Sequence, residues 1–458
     1  MWRNLDGAVR ISTLLAPDLE EIVRTSPAQA AELAEELHQA DLAEVIEGLS
    51  DDIAVKMLEA LPVASTAEAL DAMDTFRRVD LFQRLERSLA ARVAEQMSAD
   101  ERADLFQALP EEIRSDVLGR MQKEESRDVR ELIRYPETSA GGIMTTDYVA
   151  VQPEMTVERA IEQVRRTAEQ METIYEAYAV DPNGTLLGAV SLRDLVLARA
   201  GQPISAVMNS DVISVPPGAD QEDVARVFQH YDLLALPVVD AARKLLGIVT
   251  VDDVVDVLKQ EQAEDIQKLG AVAPTEEPYF QTSFGTFVRK RAGWLTAIFL
   301  GEIATASVLE HFEGAIKVVT ALVVFVPLII SSGGNTGSQA SALVIRGLAL
   351  GEFGMGDAVR ILWRELRMGL VLGCILGLIG LLRALFVGHS GEGGVAAAVG
   401  LSLIVCVTFG SVVGAGLPLI IKRFGFDPAV SSGPFIASLV DVLGIVIYFK
   451  IAMAILGM

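Results

Sequence analysis

Residues 430–456 read VSSGPFIASLVDVLGIVIYFKIAMAIL and carry Asp441 near the middle of the last apolar run of the chain. A run of this length can cross a bilayer, which takes about 20 apolar residues. An ionised carboxylate at the centre of a span costs roughly 2.5–3.5 kcal/mol on insertion scales, so it faces a partner or water rather than lipid. The stretch therefore predicts a membrane fold that binds something at Asp441.

Five apolar runs of spanning length follow one another in the second part of the chain. They cover residues 292–309, 318–348, 369–387, 395–421 and 430–456. The second run exceeds one straight span, so its ends are expected to project or bend. Residues 281–458 are therefore predicted to form a five-helix α transmembrane domain, the last part of a multidomain membrane protein.

Basic residues indicate how the spans are oriented. They lie before the first run (Arg289, Lys290, Arg291), between the second and third (Arg360, Arg364, Arg367), and between the fourth and fifth (Lys422, Arg423). Such residues mark the cytoplasmic side. Acids interrupt the short apolar stretch in residues 1–20, so no secretory signal is predicted. We expect a multi-pass protein of the cell's inner (plasma) membrane, with its amino terminus in the cytoplasm and its carboxyl terminus outside.

Charge divides the chain into two parts. Residues 1–280 hold 53 acids and 26 bases, whereas residues 281–458 hold 9 acids and 12 bases. An acidic surface of this density repels nucleic acid and attracts cations, although many soluble domains are acidic for solubility alone. Nucleic acid is therefore excluded as a partner, and the first part is expected to lie in the cytoplasm.

Neither thiol nor imidazole chemistry is indicated. Cys374 and Cys406, the two cysteines, both lie inside predicted spans, which argues against a disulfide framework or a thiolate metal site. The four His residues lack metal-ligand spacing and avoid the interiors of the spans. Because the spans also contain no second aspartate, an intramembrane enzyme is not expected.

Residues 1–135 have the pattern of an all-α domain. Apolar residues recur at helical spacing, and short turns such as Leu61-Pro62 and Leu109-Pro110 separate the segments. The segments resemble one another loosely, which predicts an acidic stack of helical pairs. The repeats are too degenerate to predict a fixed period.

Residues 136–258 alternate short β-branched strands with amphipathic helices and contain two matching halves. The first half ends in GAVSLRD at residues 188–194, and the second ends in GIVTVDD at residues 247–253, about 60 residues later. Each ending follows a Val-Asp pair and a turn. This order resembles the tandem CBS-domain pair, which implies an α/β fold.

The resemblance to CBS pairs also implies a nucleotide site. Such pairs often bind adenine nucleotides such as ATP, and a Ser or Thr with the Asp three residues later contacts the ribose. Ser191, Arg193 and Asp194 match that position, and so do Thr250 and Asp253. The alternative is that these residues only cap the following helix, a role that Ser, Thr and Asp fill well.

The run PLIISSGGNTGSQA at residues 327–340, within the second span, is similar to the MgtE family of magnesium channels, as is the stretch around Asp441. The resemblance covers essentially the whole chain. It implies a homodimer in which spans two and five of both subunits line a central pore. It also implies that Asp441 holds Mg²⁺ in the pore and that cytosolic Mg²⁺ bound at acidic sites closes it.

The residues themselves support this chemistry. Mg²⁺ gives up its waters reluctantly and prefers octahedral oxygen, so Asn335 and Gln339, four apart on span two, are expected to bind its hydration shell. Pro434, Ala437, Ser438, Asp441 and Gly444 share one small, slightly polar face of span five by their spacing.

Two alternatives remain for these pore residues. Asn335 and Gln339 can instead hydrogen-bond between helices. Asp441 can instead pair with Arg383 or Lys450, although Lys450, nine residues on, points to the opposite helix face.

The acidic segment that joins the soluble part to the spans is the predicted sensor arm, a connecting (plug) helix in residues 259–280. Six acids and a single base lie in residues 252–265, and a divalent ion between such acids relieves their repulsion. The resemblance implies cytosolic Mg²⁺ ligands in all three soluble regions. They are Glu68, Asp100 and Asp104; Asp220, Glu222 and Asp232; and Asp253, Asp256, Glu261, Glu264 and Asp265. The alternative for each acid is an ordinary solvated surface.

These observations together predict a Mg²⁺-selective uptake channel that cytosolic Mg²⁺ closes. Its expected partners are a second copy of itself, membrane lipid and Mg²⁺, with an adenine nucleotide at the CBS pair. One rival is a carrier coupled to Na⁺ or H⁺, although five spans show no inverted repeat. Another is a membrane-anchored scaffold that senses nucleotide, which leaves Asp441 without a role.

Overall fold

The structure is a computed structural model that describes residues 19–275, 279–280, 282–387 and 393–457. The chain divides into two compact units between Lys259 and Gln260. The predicted absence of a secretory signal falls largely on residues 1–18, and the outer loop after the third span falls on residues 388–392. Both lie outside the described residues.

The first unit begins with a stack of short helices, as the sequence predicts. They are α1 (Pro27–Ala34), α2 (Gln39–Glu47), α3 (Asp51–Ala60), α4 (Val63–Asp71), α5 (Thr75–Phe82), α6 (Arg87–Ala94), α7 (Ala99–Ala108), α8 (Glu111–Arg120) and α9 (Lys123–Leu132). Each helix from α1 to α7 packs on the next but one. This pattern is typical of a solenoid, in which a repeat contacts its neighbours along the stack.

The stack has a fixed period of 24 residues that the sequence analysis did not detect. Three carboxylates at this spacing accept a hydrogen bond from the backbone N–H at the N-cap of a later helix: Glu47 from Asp74, Asp71 from Ser98, and Glu95 from Gln122, at 2.9, 3.1 and 2.6 Å. Helix amino termini leave such N–H groups without intrahelical partners. The repeat is therefore marked by a capping acid rather than by an apolar motif.

Two α/β halves follow the stack. The first contains β1 (Val149–Val151), α10 (Val157–Thr167), β2 (Glu176–Val180), β3 (Leu186–Ser191) and α11 (Leu192–Leu197). The second contains α12 (Gln221–Tyr231), β4 (Ala235–Val239) and β5 (Leu245–Thr250). In the first half β1 and β2 are parallel and β2 and β3 antiparallel; β4 and β5 are antiparallel. Tyr178 and Ile248 belong to one buried cluster that joins the halves.

The acidic stretch after β5 is one helix, α13 (Val251–Leu269). It differs in its bounds from the predicted connecting segment of residues 259–280. The helix begins directly after the strand, and Asp253 caps its first turn by accepting from the Thr250 backbone N–H at 3.3 Å as well as from the Thr250 hydroxyl at 2.6 Å. It ends before Ala271, whose φ of 56° is left-handed and cannot continue a helix.

The second unit contains five helices that are long and apolar enough to cross a membrane, counted over the described residues. They are span 1 (α14, Phe284–His311), span 2 (α16, Ala321–Ala349), span 3 (α17, Ala358–Val387), span 4 (α18, Gly393–Arg423) and span 5 (α19, Gly433–Leu456), with the short α15 (Glu313–Val318) after span 1. Span 3 begins 11 residues before its apolar run, because the helix continues through the polar segment that carries Arg360, Arg364 and Arg367.

Glycines bring spans 2 and 4 into backbone contact. A Cβ added at Gly410 would lie 2.3 Å from the Gly333 carbonyl oxygen, and one at Gly414 would lie 2.1 Å from that of Gly337. Gly369, Gly373 and Gly377 place span 3 against span 4 in the same way. These rows of glycines let the helices pack closely, and they fix span 2 within the bundle.

Replacing Gly414 with alanine is expected to lower the stability of the folded protein by about 1–3 kcal/mol, the usual effect of forcing a methyl group into a packed core. Gly444→Ala on span 5 is the control, because no atom lies within 4 Å of a Cβ built there. Thermal unfolding of the two full-length variants in detergent measures the difference. Equal melting temperatures would contradict the close contact between spans 2 and 4.

Candidate functional site: a membrane carboxylate and a buried acid cluster

Asp441 lies where spans 2 and 5 approach each other. A Cβ added at Gly334 would lie 3.2 Å from the Ala437 Cβ and 3.3 Å from Asp441 Oδ1. The Ser338 hydroxyl on span 2 donates to the Gly433 carbonyl oxygen at 3.0 Å, near the start of span 5. Because Gly334 has no side chain, the Asp441 carboxylate can lie close to the surface of span 2. The hydrogen bond of Ser338 fixes the register of the two helices.

Asp441 has no positive partner among the residues that the structure describes. Across residues 282–387 and 393–457 it forms no ion pair, and the side chains of Arg383 and Lys450 are exposed elsewhere. The charged group that interacts with it is another acid, Glu302 of span 1. The predicted alternative of a structural ion pair is therefore not observed, and the partly buried carboxylate stays available for a cation.

The face of span 5 predicted to surround Asp441 is divided between neighbours. Ala437 and Asp441 face span 2, but Ser438 is buried against Gly301 of span 1. The Gly444 carbonyl accepts a weak hydrogen bond from the Cys406 thiol of span 4 at 3.6 Å. The residues around Asp441 therefore include packing contacts that helical spacing alone did not reveal.

A polar strip runs along the exposed side of span 2. Ser331, Asn335 and Gln339 follow one another every fourth residue, and all three are exposed. Asn335 contacts Ser331 at 3.4 Å, and within the described residues neither Asn335 nor Gln339 bonds to another span. Polar side chains are unfavourable in contact with lipid, so this strip faces water or another subunit.

Within the first unit the buried Asp100 and the half-buried Asp104 and Asp253 form a group that we call the buried acid cluster. Ala99 and Ala103 of α7 share an apolar core with Val254 and Val257 of α13. This packing brings Asp100 and Asp104, next to the two alanines, towards Asp253, next to Val254. Asp100 is 8 % exposed, and its Oδ1 atom has no hydrogen-bond partner. Its carboxyl group lies within hydrogen-bonding reach of Asp253.

Burial makes this cluster a poor place for several negative charges. Burial, and then the charge of Asp100, raises the pKa of Asp253 to about 9. Burial, and then Glu101 and Asp100, raises the pKa of Asp104 to about 7. The pKa of Asp100 is also raised, chiefly by burial. Such groups must take up protons or a cation to relieve their repulsion.

The nearest bases do not neutralise the cluster, because they already have partners. Arg78 pairs with Glu101, and Arg102 pairs with Glu125 at 2.7 Å and with Asp128 at 3.0 Å. Both guanidinium groups are nearly fully buried, which holds these pairs in place. Sequence reasoning missed Asp71, whose pKa burial raises to about 7; its signal was the 24-residue spacing of capping acids.

Other predicted ligands have local roles. Asp220 caps α12 by accepting from the Glu222 N–H at 2.9 Å, Glu222 pairs with Arg226 at 2.6 Å, and Asp232 ends that helix with a φ of 51°. In α13, Asp256 pairs with Lys259 and Glu264 pairs with Lys268. Glu261 and Asp265 also interact with other groups. Glu68 of the helical stack is exposed.

The predicted ligands do not form a complete metal shell in this single chain. Over the part that the structure describes, no three His, Cys, Asp or Glu side chains are grouped closely enough to hold a metal ion.

The two α/β halves use the same Ser/Thr-Asp pair differently. Ser191 donates to Asp194 at 2.6 Å and accepts from its N–H at 3.1 Å, which caps α11. Thr250 and Asp253 form the matching bond, but Asp253 faces Asp100. Capping is therefore observed in both halves. The exposed Arg193 and Asp194 leave the first half open to a ligand.

Family models match three consecutive regions of the chain. The MgtE intracellular N domain matches residues 37–138, the CBS domain matches residues 140–201 and 204–260, and the MgtE divalent cation transporter model matches residues 326–451. These regions coincide with the helical stack, the two α/β halves and the spans that surround Asp441.

Relatives and solved structures agree with these models. The chain is 42 % identical to the magnesium transporter MgtE of Thermus thermophilus over 71 % of this chain and 72 % of the relative, and 38 % identical to that of Enterococcus faecalis over 71 % of each. The crystal structure of the soluble part of a magnesium transporter matches with 32 % identity and a TM-score of 0.52, over 55 % of this chain and all of that one. The cytosolic domain of the Mg²⁺ channel MgtE in complex with ATP matches with 38 % identity and a TM-score of 0.50, over 53 % of this chain and all of that one.

Proposed function

Because this chain belongs to the MgtE family of magnesium transporters, we propose that it is a Mg²⁺-selective uptake channel that cytosolic Mg²⁺ closes. The observation that carries the proposal is Asp441, which lies against Gly334 of span 2 and has no positive partner among the described residues. A membrane carboxylate that faces neither lipid nor a base is suited to a passing cation.

The pore chemistry follows from the hydration of Mg²⁺. The ion keeps several waters and is bound through few carboxylates. Asp441 supplies the charge, while the amide of Asn335 on the exposed polar strip supplies hydrogen bonds to the waters. A single chain offers these groups on one side only. Two copies around a two-fold axis enclose the ion between two carboxylates and two strips, so we propose a homodimer.

A second set of exposed residues supports the homodimer. The CBS halves carry large apolar side chains on their surface: Tyr175, Val196 and Leu197 in the first, and Tyr231, Leu234 and Val255 in the second. Exposed apolar patches of this kind mark interaction sites. The cytoplasmic parts of two subunits can therefore associate through these side chains.

Regulation rests on the buried acid cluster. At low cytosolic Mg²⁺ the repulsion among Asp100, Asp104 and Asp253 disfavours the packed arrangement of the helical stack on the CBS pair. At high Mg²⁺ the ion relieves that repulsion, and the conformation that binds it better gains population. The acids of α13 bind Mg²⁺ in the same way, on the helix that leads to the spans. The amino terminus and these acidic regions lie in the cytoplasm.

Flux through the purified protein tests this proposal. The full chain is placed in liposomes, a Mg²⁺ indicator is enclosed, and Mg²⁺ is titrated on the cytoplasmic face alone. We expect Mg²⁺ to enter without Na⁺ or H⁺ coupling, and the rate to fall steeply as cytosolic Mg²⁺ rises. Flux with a fixed proton or sodium stoichiometry would instead identify a carrier. The absence of any flux would instead favour a membrane-anchored scaffold that senses nucleotide.

We also propose an adenine nucleotide, with ATP as the first choice, as a ligand of the first CBS half at Ser191, Arg193 and Asp194. A relative's cytosolic domain is known in complex with ATP. Asp194→Ala is expected to weaken ATP binding about tenfold, the effect of losing one hydrogen bond to a charged group. Asp253→Ala is the matched control in the second half and should change binding less than about twofold. Calorimetric titration of the full chain measures both, and equal losses would contradict the assignment.

A further inference from the structure

Glu302 is an acid in the middle of span 1. It lies 11 residues after Arg291, the last of the bases that precede the apolar run. At 1.5 Å per residue this distance is about 16 Å, close to half of a hydrocarbon layer about 30 Å thick. Glu302 is exposed on the single chain, and among the described residues its carboxylate forms no ion pair and no hydrogen bond. Such an acid faces water or a polar partner rather than lipid.

Span 1 packs on span 5, and the two helices run in the same direction. The ring centroids of Trp294 and Phe435, near the starts of the helices, lie 6.5 Å apart. Those of Phe312, directly after span 1, and Phe449, near the end of span 5, lie 5.0 Å apart in a stacked pair. The partners are 141 and 137 positions apart in sequence, so the helices keep nearly one register along their length.

This register places Glu302 beside Asp441. The helices touch where Gly301 meets Ser438, since a Cβ added at Gly301 would clash with the Ser438 hydroxyl. Successive helix residues are rotated by about 100°, so Glu302 is turned by about 100° from this contact. Asp441, three residues after Ser438, is turned by about 60° in the opposite sense. Because the helices face each other, both carboxylates project to the same side of the pair, and the charge of Glu302 acts on Asp441.

Span 2 lies on that same side of span 5. Gly334 of span 2 lies against Ala437 and Asp441, and the exposed Asn335 follows it directly. The space beside Asp441 is therefore bordered by a second acid from span 1 and by the polar strip of span 2.

Two acids at this depth favour a divalent ion. Like charges that lie near each other repel, and a cation between them relieves the repulsion. The Coulomb energy that each acid contributes is proportional to the charge of the ion, so it is twice as large for Mg²⁺ as for Na⁺. Because Mg²⁺ keeps several of its waters, Glu302 and Asp441 can act on one ion through water without touching each other.

We propose that Glu302 is a second ion-facing carboxylate, which together with Asp441 determines the preference of the ion path for divalent over monovalent cations. This inference rests on the proposed function. It gives span 1 a side chain in the ion path, whereas the proposed pore otherwise uses spans 2 and 5 alone.

The test measures initial flux through the full chain in liposomes while the cytoplasmic face is kept low in Mg²⁺. Glu302→Gln removes the charge and keeps the shape of the side chain. We expect it to raise the Mg²⁺ concentration for half-maximal flux about tenfold, as the loss of one charge beside the ion requires. The ratio of Mg²⁺ flux to Na⁺ flux, with each ion supplied alone at low concentration, should fall about threefold, because Na⁺ loses only half as much Coulomb energy. The amount of folded protein should not fall, since a charge is removed from a span.

Two further variants separate charge from shape and from position. Glu302→Asp keeps the charge, and Glu310→Gln removes an exposed acid from the outer end of the same helix. Both should keep half-maximal flux within about twofold of the unchanged chain. An unaltered half-maximal concentration and flux ratio in Glu302→Gln, or an equal change in Glu302→Asp, would overturn the inference.

The Asp441→Ala variant shows which proposal fails. If the unchanged chain carries no Mg²⁺, or if Asp441→Ala carries as much as the unchanged chain, the proposed function is wrong. If Asp441→Ala loses flux while Glu302→Gln behaves like the unchanged chain, only the role of Glu302 is wrong.

Discussion

Replacing Asp441 with alanine is expected to lower Mg²⁺ flux at least about 100-fold, since a carboxylate that stabilises a dication by about 3 kcal/mol is lost. The amount of folded protein should not fall, because removing an unpaired acid from a span relieves a cost of insertion. Flux into liposomes, normalised to the protein recovered, measures the change.

Two further variants separate charge from shape at this position. Asp441→Asn keeps the volume and should lose as much flux as alanine does. Ser438→Ala, one turn earlier and buried against span 1, should change flux less than about twofold, as surface or packing changes away from the ion do. Flux that survives in the asparagine variant would show that Asp441 has a structural role and would contradict the pore assignment.

Neutralising Asp100 and Asp253 together with asparagine is expected to leave flux intact at low Mg²⁺ and to raise the concentration for half-closure at least about tenfold, within the range of known couplings. The same variant should be more stable than the unchanged chain in the absence of Mg²⁺, because the amides need neither a buried charge nor the uptake of a proton that these carboxyl groups require. Asp74→Asn, a change at an exposed acid of the same helical domain, is the control and should alter neither property.

The pH dependence of stability provides a separate check of this cluster. The folded-state pKa of Asp253 is about 9 and its ordinary value is 3.8, so the folded chain keeps a proton that the unfolded chain loses between these values. The free energy of unfolding must therefore fall as pH rises through that window. Thermal melts of the Mg²⁺-free chain from pH 6 to pH 9 should show the decline, and the asparagine variant should reduce it. A flat profile for the unchanged chain would contradict the buried, repelling pair.

Much of the fold could be predicted because each part has its own local pattern. The spans and the twofold α/β repeat are properties of consecutive residues, and the structure contains both. The start of span 3 was missed because the apolar run begins only at the boundary of the hydrocarbon layer. The hydrogen-bonded helix begins earlier, in the polar segment before that run. The 24-residue period was missed because its marker is one acid, such as Glu47 or Asp71, in a background rich in acids.

The candidate site was less predictable, since an acid has the same chemistry whether it caps a helix, pairs with a base or binds an ion. Asp100 and Asp253 are 153 residues apart in sequence, and tertiary packing alone brings them together. The same packing leaves Asp220 as a cap and Glu222 in a pair with Arg226. Asp441 was easier to single out as a candidate, because the membrane leaves an isolated acid few alternatives.

Electrical recording from the purified protein in a planar bilayer tests the central claim most directly. With Mg²⁺ as the permeant cation at a low concentration on both sides, we predict a current that disappears when Mg²⁺ is raised on the cytoplasmic side alone. The same current should be missing in Asp441→Ala. A current that persists in that variant, or that cytosolic Mg²⁺ does not reduce, would contradict a gated path past this carboxylate.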